Sequence, residues 1–358
     1  MISTSRPQRA IAFIASMLLP AAAEGAAGIA PAHLGRGSAV RTDLALGRWG
    51  PPEGMAFVPA GVFTQGDGVA NCGVDQREVT LTHDLFLAAT EVKNEQYRSL
   101  VQWAYDVGYV TATASTVTDA FGSGQELLDL DDEHSEITFD PGTETFGLRE
   151  VDYALQNAYP LGYDPTDHPV KEVTWYGAVS YCDWLSLSEG LPMAYNHVSW
   201  SCGPGGDPYE ATGYRLPTDA EWEYAAQWND DRIRPWGDED PDCGRTNFRD
   251  DLWMMDYCVR WTSPVGSYPG GAQPGFDRLV HDLSGNVWEW ANDWWLCDLG
   301  SAAVTDPRGF GSGSYRVLRG GSWSSYASGL RAAGRDAGDP YYSSSSGVGF
   351  RPARSVFP

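Results

Sequence analysis

Tyr214-Arg-Leu-Pro-Thr-Asp-Ala-Glu-Trp-Glu-Tyr-Ala-Ala226 is the stretch from which the fold is read. Thr218 with Glu221 three residues later, just after Pro217, forms a capping box. Each side chain can satisfy a backbone N–H that a helix start leaves open. The box predicts a helix from Thr218 through Trp222, Tyr224 and Ala225, a structural role without chemistry. Upstream, Val170-Lys-Glu-Val-Thr-Trp175 reads as a strand entering a helix. Ala178, Tyr181, Cys182 and Leu185 fall at helical spacing there, and Gly190 stops it. A third helix is predicted from Asn94 to about Trp103, with Tyr97, Leu100 and Val101 inward. Short β-like runs stand at Met55-Ala-Phe-Val-Pro59, Val62-Phe-Thr64, Val79-Thr-Leu-Thr82 and Tyr315-Arg-Val-Leu-Arg319. With 41 Gly and 23 Pro the chain is turn-rich, which argues against long helical bundles. No internal repeat is visible. One α+β domain with few helices, short strands and long ordered loops is expected.

The chain has 358 residues and carries 24 Lys+Arg against 48 Asp+Glu, a formal net charge of -24. Nucleic acid and anionic lipid call for clustered cations, so neither is an expected partner. Lys93 and Lys171 are the two lysines, so Arg carries nearly all positive charge. A hydrophobic fraction of 42% suffices for a packed core, and the fifteen Trp call for burial or a cleft. Arg6 and Arg9, the apolar run Ala10 to Leu19 and Ala21-Ala22-Ala23 have the form of a secretory signal peptide over residues 1–23. The run is too short to span a bilayer, and nothing later does better, so no membrane span is expected. Residues 24–50 are small, polar and aperiodic and read as a linker before a domain over 51–356. A secreted or periplasmic location is expected. Within the domain, residues 119–152 hold eleven acids and one arginine and read as a solvated surface insertion. Six cysteines, at 72, 182, 202, 243, 258 and 297, permit disulfides outside the cytoplasm. Fifteen pairings are open. Cys243 with Cys258 is preferred because they bracket a loop-like stretch, and free buried thiols are the alternative.

Several blocks together resemble the formylglycine-generating enzyme (sulfatase-modifying factor) family, whose fold is a C-type-lectin-like variant. They are Gly54-Met-Ala-Phe-Val-Pro-Ala-Gly-Val-Phe63, Ala89-Thr-Glu-Val92 with Tyr97, and His168-Pro-Val-Lys-Glu-Val-Thr-Trp175. The opening stretch Tyr214 to Ala226 is another. Pro235-Trp-Gly-Asp238, Pro264-Val-Gly266, Gly285-Asn-Val-Trp-Glu-Trp290, Arg319-Gly-Gly-Ser-Trp323 and Gly349-Phe-Arg351 complete the series in the family's order. The resemblance runs from about residue 52 to 354. It implies oxidation of a substrate-protein cysteine to formylglycine with O2 and a copper ion held by two cysteines. Those thiols should follow the Gly-Gly-Ser segment, about five residues apart. Here the stretch reads Gly320-Gly-Ser-Trp-Ser-Ser-Tyr-Ala-Ser-Gly-Leu-Arg331-Ala-Ala-Gly-Arg335. Ser325 stands where the first cysteine would be, and the second is missing. A neutral hydroxyl does not replace a thiolate for soft Cu(I), so copper is not expected here.

The resemblance also implies Ca2+ at Asp282-Leu-Ser-Gly-Asn-Val-Trp-Glu289. Asp282 and Glu289 would offer carboxylates, and Gly285 and Val287 their carbonyls; a hydrogen-bonded turn without metal is the alternative. A second Ca2+ site maps near Asn247 and Phe248 with a later acid at Asp256, although Tyr257 occupies the matching position. Cleft candidates are Trp288, Ser322, Ser325, Trp323, Arg331 and Arg335. The two arginines are four apart, suited to gripping a carboxylate or sulfate if helical and otherwise to internal salt bridges. Packing is the alternative for Trp288, Trp290, Trp294 and Trp295. His168, His197 and His281 match no iron-ligand pattern. The readings are therefore a Ca2+-stabilised module for an extracytoplasmic peptide, protein or glycan, or a divergent enzyme. The full formylglycine-generating oxidase is the alternative.

Overall fold

The capping box closes as the sequence predicts. The Thr218 hydroxyl accepts from the N–H of Glu221, and the Glu221 carboxylate accepts from the N–H of Thr218, opening a helix over Asp219–Gln227. The computed structural model describes residues 52–69, 76–250, 256–270, 279–341 and 346–357. The expected signal peptide (1–23), the linker (24–50) and Cys72 lie outside them. Four α-helices occur among the described residues: α1 Asn94–Asp106, α2 Asp152–Asn157, α3 Trp175–Ser188 and α4 Asp219–Gln227. Strands are short and gather in several small sheets, as expected of a mixed α/β chain with long connections.

Met55–Val58, Leu85–Ala88 and Ala353–Ser355 form one antiparallel sheet, which brings the two ends of the domain together. In a second sheet, Trp288–Trp294 pairs antiparallel with Arg316–Arg319 and parallel with Val348–Gly349. Arg335–Gly338 completes the far edge. The run before α3 is not a strand. Pro169 and Val173 make only isolated bridges to Lys93 and Leu128, and the Thr174 hydroxyl then caps the helix through the N–H of Gly177 at 2.9 Å.

Residues 119–152 depart most from expectation. In place of a solvated loop they carry strands at Glu126–Asp129, Ile137–Asp140 and Thr145–Leu148, with Leu127, Leu128, Ile137, Phe139 and Phe146 in the main core. Most acids sit at turns or strand ends, so a charge count over the whole segment hid the apolar residues between them. Gly177 explains how closely the segment is joined to α3. A Cβ there would lie 1.9 Å from the Leu127 carbonyl oxygen. Glu136 is buried and takes hydrogen bonds from Lys171 Nζ at 2.5 Å, Asn94 Nδ2 at 2.6 Å and Trp261 Nε1 at 3.2 Å. Tyr163 donates a further one. A buried carboxylate is tolerated only with such partners.

The tryptophans divide between core and cleft. Trp175, Trp184, Trp222 and Trp261 are fully buried, and Trp290 is in the core. Trp294 lies over the Arg316 guanidinium at 3.5 Å, facing Trp175 at the same distance on that group. Cys243 and Cys258 form a disulfide across a separation of 15 residues. Cys297 is also disulfide-bonded, while Cys182 and Cys202 are free and buried.

Candidate functional site

The site is built on the sheet around Trp288–Trp294 and on the turn that follows Arg316–Arg319. Arg319 and Arg351, fully buried, hold this floor. Arg319 pairs with Glu223 at 2.7 Å and with Asp219, both on α4. Arg351 grips Glu289 in a fork, Nε to Oε2 and Nη2 to Oε1, each at 2.7 Å. Arg335 adds a contact to Asp219 at 2.9 Å. Two-point guanidinium–carboxylate pairs of this kind fix orientation as well as charge.

Above the floor lies a cavity of about 470 Å3. Trp288, Ser325, Arg331 and Arg335 all line it, so four of the sequence-derived cleft residues converge. Ser322 lies just beneath. Its N–H donates to the Ser325 Oγ at 3.0 Å, and the two hydroxyl oxygens are 3.3 Å apart. The Ser325 N–H returns to the Ser322 carbonyl at 2.9 Å. The serine hydroxyl thus closes a tight turn. Trp323 points away, its Nε1 donating to the Ser346 carbonyl and its ring against Trp261. Arg331 and Arg335 do not share a helical face. Arg331 follows a short 3-10 turn and pairs with Asp67, whereas Arg335 opens a strand. No cysteine lines the cavity among the described residues. Burial pushes the thiols of Cys182 and Cys202 up, the latter to about 12, so neither is a ready thiolate.

Sequence reasoning missed Arg234, which also lines the cavity. It precedes the Pro235-Trp-Gly-Asp block in a tight hairpin in which Arg234 and Gly237 exchange backbone hydrogen bonds. Its position beside a recognisable block was the available signal.

The turn from Asp282 to Glu289 is tightly knit. Gly285 has φ +81, and a Cβ there would meet Thr246 Oγ1 at 2.2 Å and the Asn247 carbonyl at 2.3 Å, so only glycine fits. Asp282 is buried, its carboxylate accepting from the N–H groups of Gly266 and, at 3.0 Å, Tyr268. Burial pushes its pKa up, and the same holds for neighbouring Glu91, where Asp282 adds to the effect. Glu289 has both oxygens engaged by Arg351, and Oε2 also accepts from Trp222 Nε1 at 2.8 Å. In this arrangement the guanidinium supplies the positive charge expected from Ca2+, and Glu289 does not fit as a free metal ligand. Val287 is buried. Asn247 fits a hard cation better. It is fully buried, Nδ2 donates to the Trp261 carbonyl at 2.7 Å, and Oδ1 has no hydrogen-bond partner among the described residues. Phe248 is buried next to it, and the Tyr257 ring packs on Trp323. The Asp256 side chain lies outside the described residues.

The histidines do not converge. His168 is buried with Nδ1 2.9 Å from Thr262 Oγ1, and burial lowers its pKa to about 4. His197 bridges Asp119 at 2.7 Å and Asp183 at 3.0 Å. Burial opposes its charge, but hydrogen bonds to those carboxylates prevail and raise it to about 9. Among the described residues Asp132, His134 and Glu172 have ligand atoms within 4.8 Å of one another, a grouping that the sequence did not reveal.

Residues 47–356 match the family described as "Sulfatase-modifying factor enzyme 1-like domain". The chain belongs to that family. The formylglycine-generating enzyme of Bos taurus is 29% identical over 337 residues, covering 87% of this chain and 77% of the relative. A hercynine oxygenase of Mycolicibacterium thermoresistibile is 32% identical over 188 residues, 49% of this chain and 34% of its own. In fold, the chain resembles Treponema denticola variable protein 1 with a TM-score of 0.57 and 21% identity, over 84% of this chain and 95% of that one.

Proposed function

We propose that this family member is an exported binding module whose ligand, a peptide, protein or glycan segment, seats in the cavity of Trp288, Ser325, Arg331 and Arg335. The carrying observation is the Ser325 hydroxyl, closed into a turn with Ser322, where copper-thiolate chemistry requires a cysteine. A hydroxyl neither ligates Cu(I) as a thiolate does nor relays its electrons. Trp288 offers an aromatic face to a ligand, and the serines and arginines offer directional donors. The volume lies within the roughly 300–1,000 Å3 usual for ligand sites.

Ca2+ is proposed at Asn247, where Oδ1 would supply one hard oxygen and the bound ion would stiffen the loop below the cavity. The signal-like residues 1–23 support export. Screening the mature protein on peptide and glycan arrays tests the role, with hits expected to disappear in Trp288→Ala. Oxygen-dependent conversion of a cysteine in a sulfatase-type peptide, followed by mass, would instead establish the oxidase. Turnover of another substrate would establish a divergent enzyme.

A further inference from the structure

We infer that the cavity beside Ser325 takes a ligand bearing an oxyanion (carboxylate, sulfate or phosphate) and that the Arg234 guanidinium is its counter-charge. The inference rests on the binding role proposed above for this cavity. Three other buried arginines of the chain are each answered by a buried acid. Arg215 meets Glu221 at 2.7 Å, Arg319 meets Glu223 at 2.7 Å, and Arg351 meets Glu289 at 2.7 Å, every partner being buried. Arg316 has no acid at this range but lies between the faces of Trp175 and Trp294, each 3.5 Å away. In the cavity wall, Arg335 reaches Asp219 and Arg331 reaches Asp67.

Arg234 is different. It is 7% exposed, yet its acid contact is Asp240 at 3.7 Å, a side chain fully open to solvent. One amino group, Nη1, donates to the carbonyls of Glu239 at 2.8 Å and Asp238 at 3.4 Å. Among the described residues Nε has no partner and is closed off from solvent, and Nη2 has only the long contact to Asp240. Nη2 is therefore the N–H group left to meet a carboxylate, sulfate or phosphate entering the cavity, through a charge-assisted hydrogen bond. Burial and the nearby positive charge of Arg331 both disfavour the cation at Arg234, partly offset by Asp240 and Asp238. A buried, unanswered charge is unfavourable, and an anion entering the cavity would answer it. Asp336 also lines the cavity, but it is exposed and accepts from the N–H of Ala337. Trp288 would take the apolar body attached to the anionic group.

The test uses the mature full-length protein with benzoate, 4-nitrophenyl sulfate and 4-nitrophenyl phosphate as probes. Titrations by calorimetry are run at constant ionic strength against chloride and against neutral benzamide. Saturable binding of at least one oxyanion probe above both controls is expected, and comparison of the three identifies the anionic group preferred. Arg234→Gln should weaken that binding at least tenfold, while ligand-free Arg234→Gln melts no lower than the parent. Arg234→Lys, which keeps the charge but loses the planar guanidinium and its Nη2 donor, should fall between them. Arg232→Gln, outside the cavity, should bind as the parent does. Absence of oxyanion binding above the controls, or equal binding in Arg234→Gln, overturns the inference. An uncharged array ligand lost in Trp288→Ala but retained in Arg234→Gln overturns the oxyanion preference and leaves the binding role standing. No cavity ligand of any kind defeats both.

Discussion

The sheet floor, whose buried ion pairs do not themselves line the cavity, and the cavity wall are made from neighbouring stretches of chain, yet they are held together differently. Below, Arg319 and Arg351 are fully buried and locked to Asp219, Glu223 and Glu289 at the distances of strong ion pairs. In the wall, the Ser322–Ser325 turn is closed by hydroxyl and backbone contacts, and Arg234 has an Nε unpartnered among the described residues. The floor's side chains serve the fold, so losing an arginine there should leave a buried carboxylate short of counter-charge. Position 325 in the wall is replaceable, because its turn needs only one small acceptor, whereas Arg335 and Arg331 beside it are paired with Asp219 and Asp67. A family framework can therefore persist after the chemistry on top of it has changed.

The sharpest test is at the floor. Arg319→Met leaves Asp219 and Glu223 with one fewer buried partner, and a loss of about 3–5 kcal/mol in urea unfolding is expected. A loss under about 1 kcal/mol would erase the distinction between floor and wall. Next in size is the disulfide beside the Asn247 segment. Cys243→Ser together with Cys258→Ser should lower stability by about 3 kcal/mol, from the loop of 15 residues that the bond closes. Denaturant midpoints with and without reductant would check it.

His197 supplies a pH-dependent comparison away from the cavity. Its folded pKa, about 9, lies above the ordinary value of 6.5 because Asp119 and Asp183 hold the proton. The stabilisation is therefore complete below about pH 6.5 and is lost as pH rises through 9. A decline on the order of 2 kcal/mol across that window is expected, and His197→Gln should flatten it. A parent profile with the same slope as the variant would remove His197 from the account. The smallest effect belongs to the wall. Ser325→Cys should change stability by less than about 0.5 kcal/mol and should not create tight Cu(I) binding, since no second thiol lines the cavity. Tight copper binding by this single variant would reverse the contrast between floor and wall.

What could be read from the chain was local or came as an ordered series of blocks. Thr218 and Glu221 announce α4 because a capping box is complete within four residues. The second task of Glu221, holding Arg215, lies outside that pattern. The Cys243–Cys258 bond was likewise legible from a short loop. The segment 119–152 was misread because eleven acids dominate its composition, while Leu127 and Leu128, not the acids, decide its placement. In the site, Trp288, Ser325, Arg331 and Arg335 were identified from family blocks. Arg234 was not, since nothing in its own sequence shows that its guanidinium would be buried.

The sequence by itself determined the helix starts, the family framework and the lack of any cysteine from 298 to the end of the chain. Those features depend on residue identity or on hydrogen bonds between close neighbours in the chain. Only the tertiary structure decided that Glu289 answers Arg351, 62 residues away, and that Arg234 meets the cavity without a buried acid. Charge partners follow from which side chains the closed chain buries together. Local spacing carries no record of that choice.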